Sequence, residues 1–121
     1  MKCPSLILLA HGSRDPKWCK SFEHLLDACC NPNLHLAYMD LIQPSLSSVI
    51  KTLVKNRIKK IKILPMFMAD GRHVDKDIPK QVKELEVRFP EIDFEILPSI
   101  GEHPELISSM KEIIRKHAQE I

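Results

Sequence analysis

Little in this sequence points toward a membrane, a nucleic acid or a disulfide-stapled fold. No apolar run in its 121 residues approaches the roughly 20 needed to cross a bilayer, so no membrane partner is expected. The balance of 18 basic and 16 acidic residues leaves a formal net charge of only +2. Nucleic-acid binding would call for a concentrated basic face, so no nucleic-acid partner is expected, although an anionic ligand is permitted. The single basic run, Lys55 to Lys62, falls at a helix end and a strand entry. Helix carboxyl ends favour cations, and the run reads as a solvated turn. The four cysteines, Cys3, Cys19, Cys29 and Cys30, include a vicinal pair but no C-x-x-C or C-x-x-H, which argues against both a disulfide framework and a thiolate zinc site. Cys29 and Cys30 are expected to finish a helix in a reducing compartment. Also missing are an internal repeat, a low-complexity segment and a Gly-rich phosphate fingerprint. Met1-Lys2-Cys3-Pro4 leads almost directly into an apolar strand and leaves no room for a signal peptide, so a cytoplasmic location is expected. The length predicts one domain over residues 1–121.

What is present is an alternation, repeated four times, of apolar Ile/Leu/Val runs with segments of 3.6-residue periodicity. Strands are predicted over about Ser5–Ala10, Leu34–Met39, Lys60–Phe67 and Asp93–Leu97. After Asp15-Pro16, a helix places Phe22, Leu25, Leu26 and Cys29 on one face. Gln43-Pro44-Ser45 opens a second with Leu46, Val49, Ile50 and Leu53 inward. Asp77 and Pro79 suit the first turn of a third, which buries Val82, Leu85 and Phe89. Pro104 starts a fourth, with Leu106, Ile107, Met110, Ile113, Ile114 and His117 on one side. This βαβαβαβα order predicts an α/β fold, an open parallel four-stranded sheet with helices on both faces. In the order 2-1-3-4, strands one and three flank the switch point where open α/β sheets bind ligands.

Two strands end in a histidine-bearing loop at that edge. Leu6 to Ala10 breaks at His11-Gly12-Ser13-Arg14, and Ile61 to Met68 breaks at Ala69-Asp70-Gly71-Arg72-His73. Asp40, just past strand two, reaches the same edge. Two neutral imidazoles facing one cavity can hold a borderline divalent ion such as cobalt, nickel, iron or zinc and leave coordination positions open, which suits transfer rather than storage. The bland alternative is that each imidazole hydrogen-bonds a loop carbonyl, and that Asp40 bonds nearby backbone amides. Ser13, Arg14, Lys17, Arg72 and Lys76 surround the mouth and can receive carboxylates. His24, His35 and His117 read as surface or boundary residues, and His103 as shaping a helix entry.

Four blocks together carry a resemblance: Ala10-His11-Gly12-Ser13-Arg14, Tyr38 to Leu46, Pro65 to Pro79, and Ile100-Gly101-Glu102-His103-Pro104. In this order they resemble the short class II chelatases of the CbiX type, the sirohydrochlorin cobaltochelatase family, over nearly the whole chain. The third block, with glycine, histidine and Asp-Ile-Pro after a strand, is the most specific. The resemblance implies a chelatase-like fold and a lyase-type reaction, ATP-independent insertion of a divalent metal into sirohydrochlorin, an early tetrapyrrole with eight carboxylates. Co2+ leads among the metals implied, with Ni2+ or Fe2+ as others, in cobalamin, sirohaem or nickel-tetrapyrrole synthesis. The metal is a substrate, and no tightly bound cofactor is expected. Short members resemble half of the longer chelatases and work as homodimers with the site in a cleft between the subunits. By the same resemblance His11 and His73 bind metal and assist deprotonation, Asp40 stands where a catalytic glutamate is common, and Met68, Ala69, Asp70, Gly71 and Arg72 line the tetrapyrrole pocket with Ser13 and Arg14. Asp40 is one methylene shorter than that glutamate, Gln43 replaces a frequent acidic residue, and no histidine-rich tail is present. The alternative class is a carrier that binds metal or tetrapyrrole without turnover; a weaker one makes Gly12-Ser13-Arg14 a phosphate cradle.

Overall fold

A helix follows each strand of this fold, and the computed structural model shows how the helix start signals act. It describes residues 3–12, 15–40, 42–69, 71 and 73–119, with the side chains of Trp18, His73 and Val74 outside the description. The first strand, β1, is Ser5–Ala10, and α1 follows as Pro16–Cys29. The Asp15 carboxylate caps α1 by accepting from the Lys17 amide at 3.0 Å. Cys30 then closes the helix in the left-handed region at φ 46°. β2 spans Leu34–Tyr38 and α2 spans Leu46–Lys55, where the Ser45 hydroxyl accepts from the Ser48 amide at 3.2 Å. β3 is Lys60–Pro65; a π-helical turn over His73–Asp77 leads into α3, Ile78–Arg88; β4 is Asp93–Ile96. A 3-10 turn at Ile100–Glu102 precedes α4, Pro104–Ala118. Among the described residues no helix is long and apolar enough to cross a membrane.

The sheet is parallel throughout, as the alternation predicted, and its strands lie in the expected order β2-β1-β3-β4. Because side chains alternate across a strand, β1 feeds two cores at once. Ile7 and Leu9 join Ile61 and Ile63 against Leu46, Ile50 and Leu53 of α2 and Ile78, Val82 and Leu85 of α3. Leu8 and Ala10 join Leu36 and Tyr38 against Cys19, Phe22 and Leu26 of α1. Helices moving left and right from β1 therefore lie on opposite faces, which opens the crevice between the carboxyl ends of β1 and β3.

Three strand ends fall short of their predicted limits, each where the backbone finds another partner. β2 stops at Tyr38, whose amide donates to the Pro44 carbonyl at 2.9 Å, while Met39 makes one last bond to Ala10. β3 stops at Pro65; the Met66 amide still reaches Leu9 at 2.8 Å, but the Phe67 carbonyl is taken by the Gly101 amide at 3.0 Å. β4 stops at Ile96, with one more bond from Leu97 to Ile63.

Two helix faces also differ from expectation. On α1, Phe22 and Leu26 pack inward, but Leu25 is 47% exposed and Cys29 lies at the surface. On α4 no described residue is buried, and Ile113 and Ile114 are 59% and 65% exposed. The reason is length: fifteen helical residues span about 22 Å, whereas the four residues of β4 cover only about 13 Å. The helix outruns its sheet. Even near its start it stands off, leaving a hollow of about 340 Å³ between Leu64 of β3 and Leu106 and Ser109.

Candidate functional site

At the carboxyl edge of β1, burial of Ala10 places the next residue, His11, at the boundary between core and solvent. Its half-buried ring meets Phe67 edge-on, with centroids 5.0 Å apart and planes at 79°. Phe67 belongs to the loop after β3, so this contact joins the two loops of the switch point and fixes the direction of the imidazole. His11 lines a cavity of about 370 Å³ together with Met39 and Asp40 from the end of β2. The predicted convergence of His11 and Asp40 on one edge is therefore seen. The Asp40 carbonyl accepts from the Ile42 amide at 2.8 Å to turn the chain, and its exposed carboxylate has no hydrogen-bond partner among the described residues. The reading in which Asp40 bonds nearby amides has no support there.

The backbone of His73 opens the π-helical turn ahead of α3, which the Asp75 amide ties back to the Gly71 carbonyl at 2.8 Å. The His73 side chain, and Ser13, Arg14, Asp70 and Arg72 altogether, lie outside the described residues. Met68 is 62% exposed on the loop, with Ala69 and Gly71 also exposed beside it. None of these three lines the cavity of His11 and Asp40. Among the described residues no group of three or more His, Cys, Asp or Glu could hold a metal ion.

The opposite wall of the cavity was not read from the sequence. It is built by Asp77, Lys80, Gln81 and Glu84 of α3 and its cap. Their spacing of i, i+3, i+4 and i+7 puts them on one helical face, away from the buried Ile78, Val82 and Leu85. That polar stripe was legible but looks like any solvated helix face. Lys17 and Lys76 do not line the cavity; the cation that does is Lys80, one turn beyond Lys76. Gln43 does not line it either. Its side-chain oxygen accepts from the Ser45 amide at 3.0 Å and the Ser48 hydroxyl at 3.3 Å, so it serves the start of α2.

A second missed residue is Gly101. A Cβ built there would overlap the carbonyl of Met68, so the 3-10 turn can lie against the Phe67–Met68 backbone only because residue 101 has no side chain. The lone glycine of Ile100-Gly101-Glu102 was the available signal.

A larger hollow of about 420 Å³ opens along the outer edge of β2 and shares no residue with the His11 cavity. It holds His35, half-buried opposite Ile7, where burial lowers the imidazole pKa. It also holds Tyr38, whose phenol is pushed up to about 12 by burial, and further by Cys19 and Glu23. Both groups are held neutral, and neither faces the histidine edge. His103 shapes a helix entry as expected, its Nε2 lying 2.9 Å from the Pro98 carbonyl at the cap of α4.

Comparison with known proteins gives a consistent result. The CbiX family model matches residues 5–117. The crystal structure of a CbiX protein from Marinobacter aquaeolei VT8 superposes with a TM-score of 0.85 at 29% identity, covering 98% of both chains. The sirohydrochlorin cobaltochelatase of Sulfurisphaera tokodaii is 32% identical over 88 residues, 66% of this chain and 68% of that one. A chloroplastic sirohydrochlorin ferrochelatase of Arabidopsis thaliana is 25% identical over 114 residues, 91% of this chain and 51% of that one. Several other curated relatives are also longer, and the chain spans 39% to 60% of their length.

Proposed function

The chain belongs to the CbiX family, and from that premise we propose that it inserts a divalent metal ion into sirohydrochlorin without ATP. The observation that carries this reading is His11 at the β1/β3 switch point, its ring set by Phe67, sharing one cavity with the exposed carboxylate of Asp40. Insertion releases two protons from pyrrole nitrogens while the incoming ion exchanges its ligands for ring nitrogens. A neutral imidazole serves as base or metal ligand near neutral pH. Asp40 is the second acceptor, and His73 completes the metal-handling pair from the loop after β3. Met68 to Arg72, with Ser13 and Arg14, form the tetrapyrrole-facing loops.

Cobalt is the proposed metal, with nickel and iron as competitors. Imidazole and carboxylate ligands alone favour nickel over cobalt over iron, so affinity does not decide and supply does. The test is an anaerobic assay of sirohydrochlorin with each metal at substoichiometric protein. A chelatase turns over many equivalents faster than the spontaneous reaction; a carrier shows saturable binding with no gain in rate, and that outcome overturns the proposal.

The active form is proposed to be a homodimer. One relative is about twice as long and another about two and a half times, and among the described residues nothing buries Ile113 and Ile114 on the outer half of α4. Sedimentation of Ile113→Glu/Ile114→Glu is expected to give a monomer where the parent gives a dimer. An unchanged sedimentation coefficient rejects α4 as the contact.

A further inference from the structure

The cavity beside His11 is acidic. Of the charged groups lining it among the described residues, Asp40, Asp77 and Glu84 are acidic and Lys80 is the one basic group. A ligand with eight carboxylates meets like charge on most of this wall, and like charges across a cavity are unfavourable. Its acidic side chains must therefore turn away from Asp40, Asp77 and Glu84 and toward whatever cation the wall offers.

Lys80 is well placed to be that cation. It sits in the middle of the α3 stripe, flanked by Asp77 and Glu84, with the half-buried amide of Gln81 beside it. Its ammonium makes no ion pair with any described residue, although helix neighbours at i−3 and i+4 are both acidic. The group is thus free to meet an incoming carboxylate, and its exposure keeps the cost of desolvating it small.

We infer that Lys80 is a specificity-determining residue, receiving one peripheral carboxylate of the tetrapyrrole so that the macrocycle enters with a single edge against α3. This rests on the chelatase reading above. The remaining acidic wall then faces the cation substrate, so the two substrates are sorted by charge to different parts of one cavity.

The test is a titration of sirohydrochlorin into the full chain without metal, followed by fluorescence, for the parent, Lys80→Gln, Lys80→Glu and Lys80→Arg. The expected result is Kd raised about fivefold by Lys80→Gln and about tenfold or more by Lys80→Glu at low ionic strength, with Lys80→Arg close to the parent. The differences should shrink as salt is added. In the cobalt insertion assay the loss should fall on KM rather than kcat. Lys80 is exposed, so all three variants should unfold at the parent's temperature. If parent and Lys80→Glu bind sirohydrochlorin equally, the inference is wrong while the chelatase reading stands. If the parent itself does not bind it, the chelatase reading fails and the inference with it.

Discussion

His11→Ala is expected to lower the rate of cobalt insertion by at least about 100-fold, because positioned acid–base groups typically contribute 10²–10⁴-fold. The half-buried ring lies between the end of β1 and Phe67, so its loss removes one edge-to-face aromatic contact. Such a pair is worth about 0.5–1.5 kcal/mol beyond its buried area. The variant should therefore stay folded, and the lost rate belongs to the chemistry. Phe67→Leu separates position from identity: it keeps the imidazole but frees its orientation, and should fall between parent and His11→Ala. Initial rates read from the absorbance change on metallation, with circular dichroism as the fold control, decide the matter. A folded His11→Ala protein working at the parental rate would remove His11 from the mechanism.

The sheet was legible because β1 is a nearly continuous apolar run, as a strand buried on both faces requires, and the shorter, partly alternating strands Leu34–Tyr38, Lys60–Pro65 and Asp93–Ile96 are set apart by helix signals at Asp15-Pro16, Ser45 and Asp77. From the runs and the crossover rule came a parallel sheet, and supposing the doubly wound order 2-1-3-4, which the sheet takes, gave the edge that His11 and Asp40 share. What was not legible depends on contacts far apart in sequence. Phe67 reads as a strand residue, and leaves the ladder because Gly101, thirty-four positions later, takes its carbonyl. Ile113 and Ile114 read as core because periodicity reports a helix's apolar face and not whether the sheet extends beneath it. The stripe Asp77, Lys80, Gln81 and Glu84 was missed for the converse reason. A polar helix face looks the same whether it borders bulk solvent or a cavity, and only the placement of α3 across from His11 tells them apart.

Gly101→Ala should be strongly destabilising for a change of one methyl group. At most buried positions an added methyl meets side chains that can rotate aside. Here the new Cβ would meet the Met68 carbonyl and Cα, which are backbone and cannot rotate away alone. The 3-10 turn must lift, breaking the 3.0 Å bond from the Gly101 amide to Phe67. Overpacking costs about 1–3 kcal/mol and a lost backbone hydrogen bond about 0.5–1.5 kcal/mol, so the expected destabilisation is about 2–4 kcal/mol. With m-values of about 1–3 kcal/mol/M in urea, the unfolding midpoint should fall by about 0.7–4 M. The same displacement moves Phe67, the ring that orients His11, so insertion should slow even under conditions where the variant is fully folded. That pairing separates Gly101 from a glycine that merely eases a turn. If Gly101→Ala keeps the parental urea midpoint, the 3-10 turn does not brace the β3 loop. If the midpoint drops but the folded variant inserts metal at the parental rate, the brace stabilises the loop without positioning the imidazole.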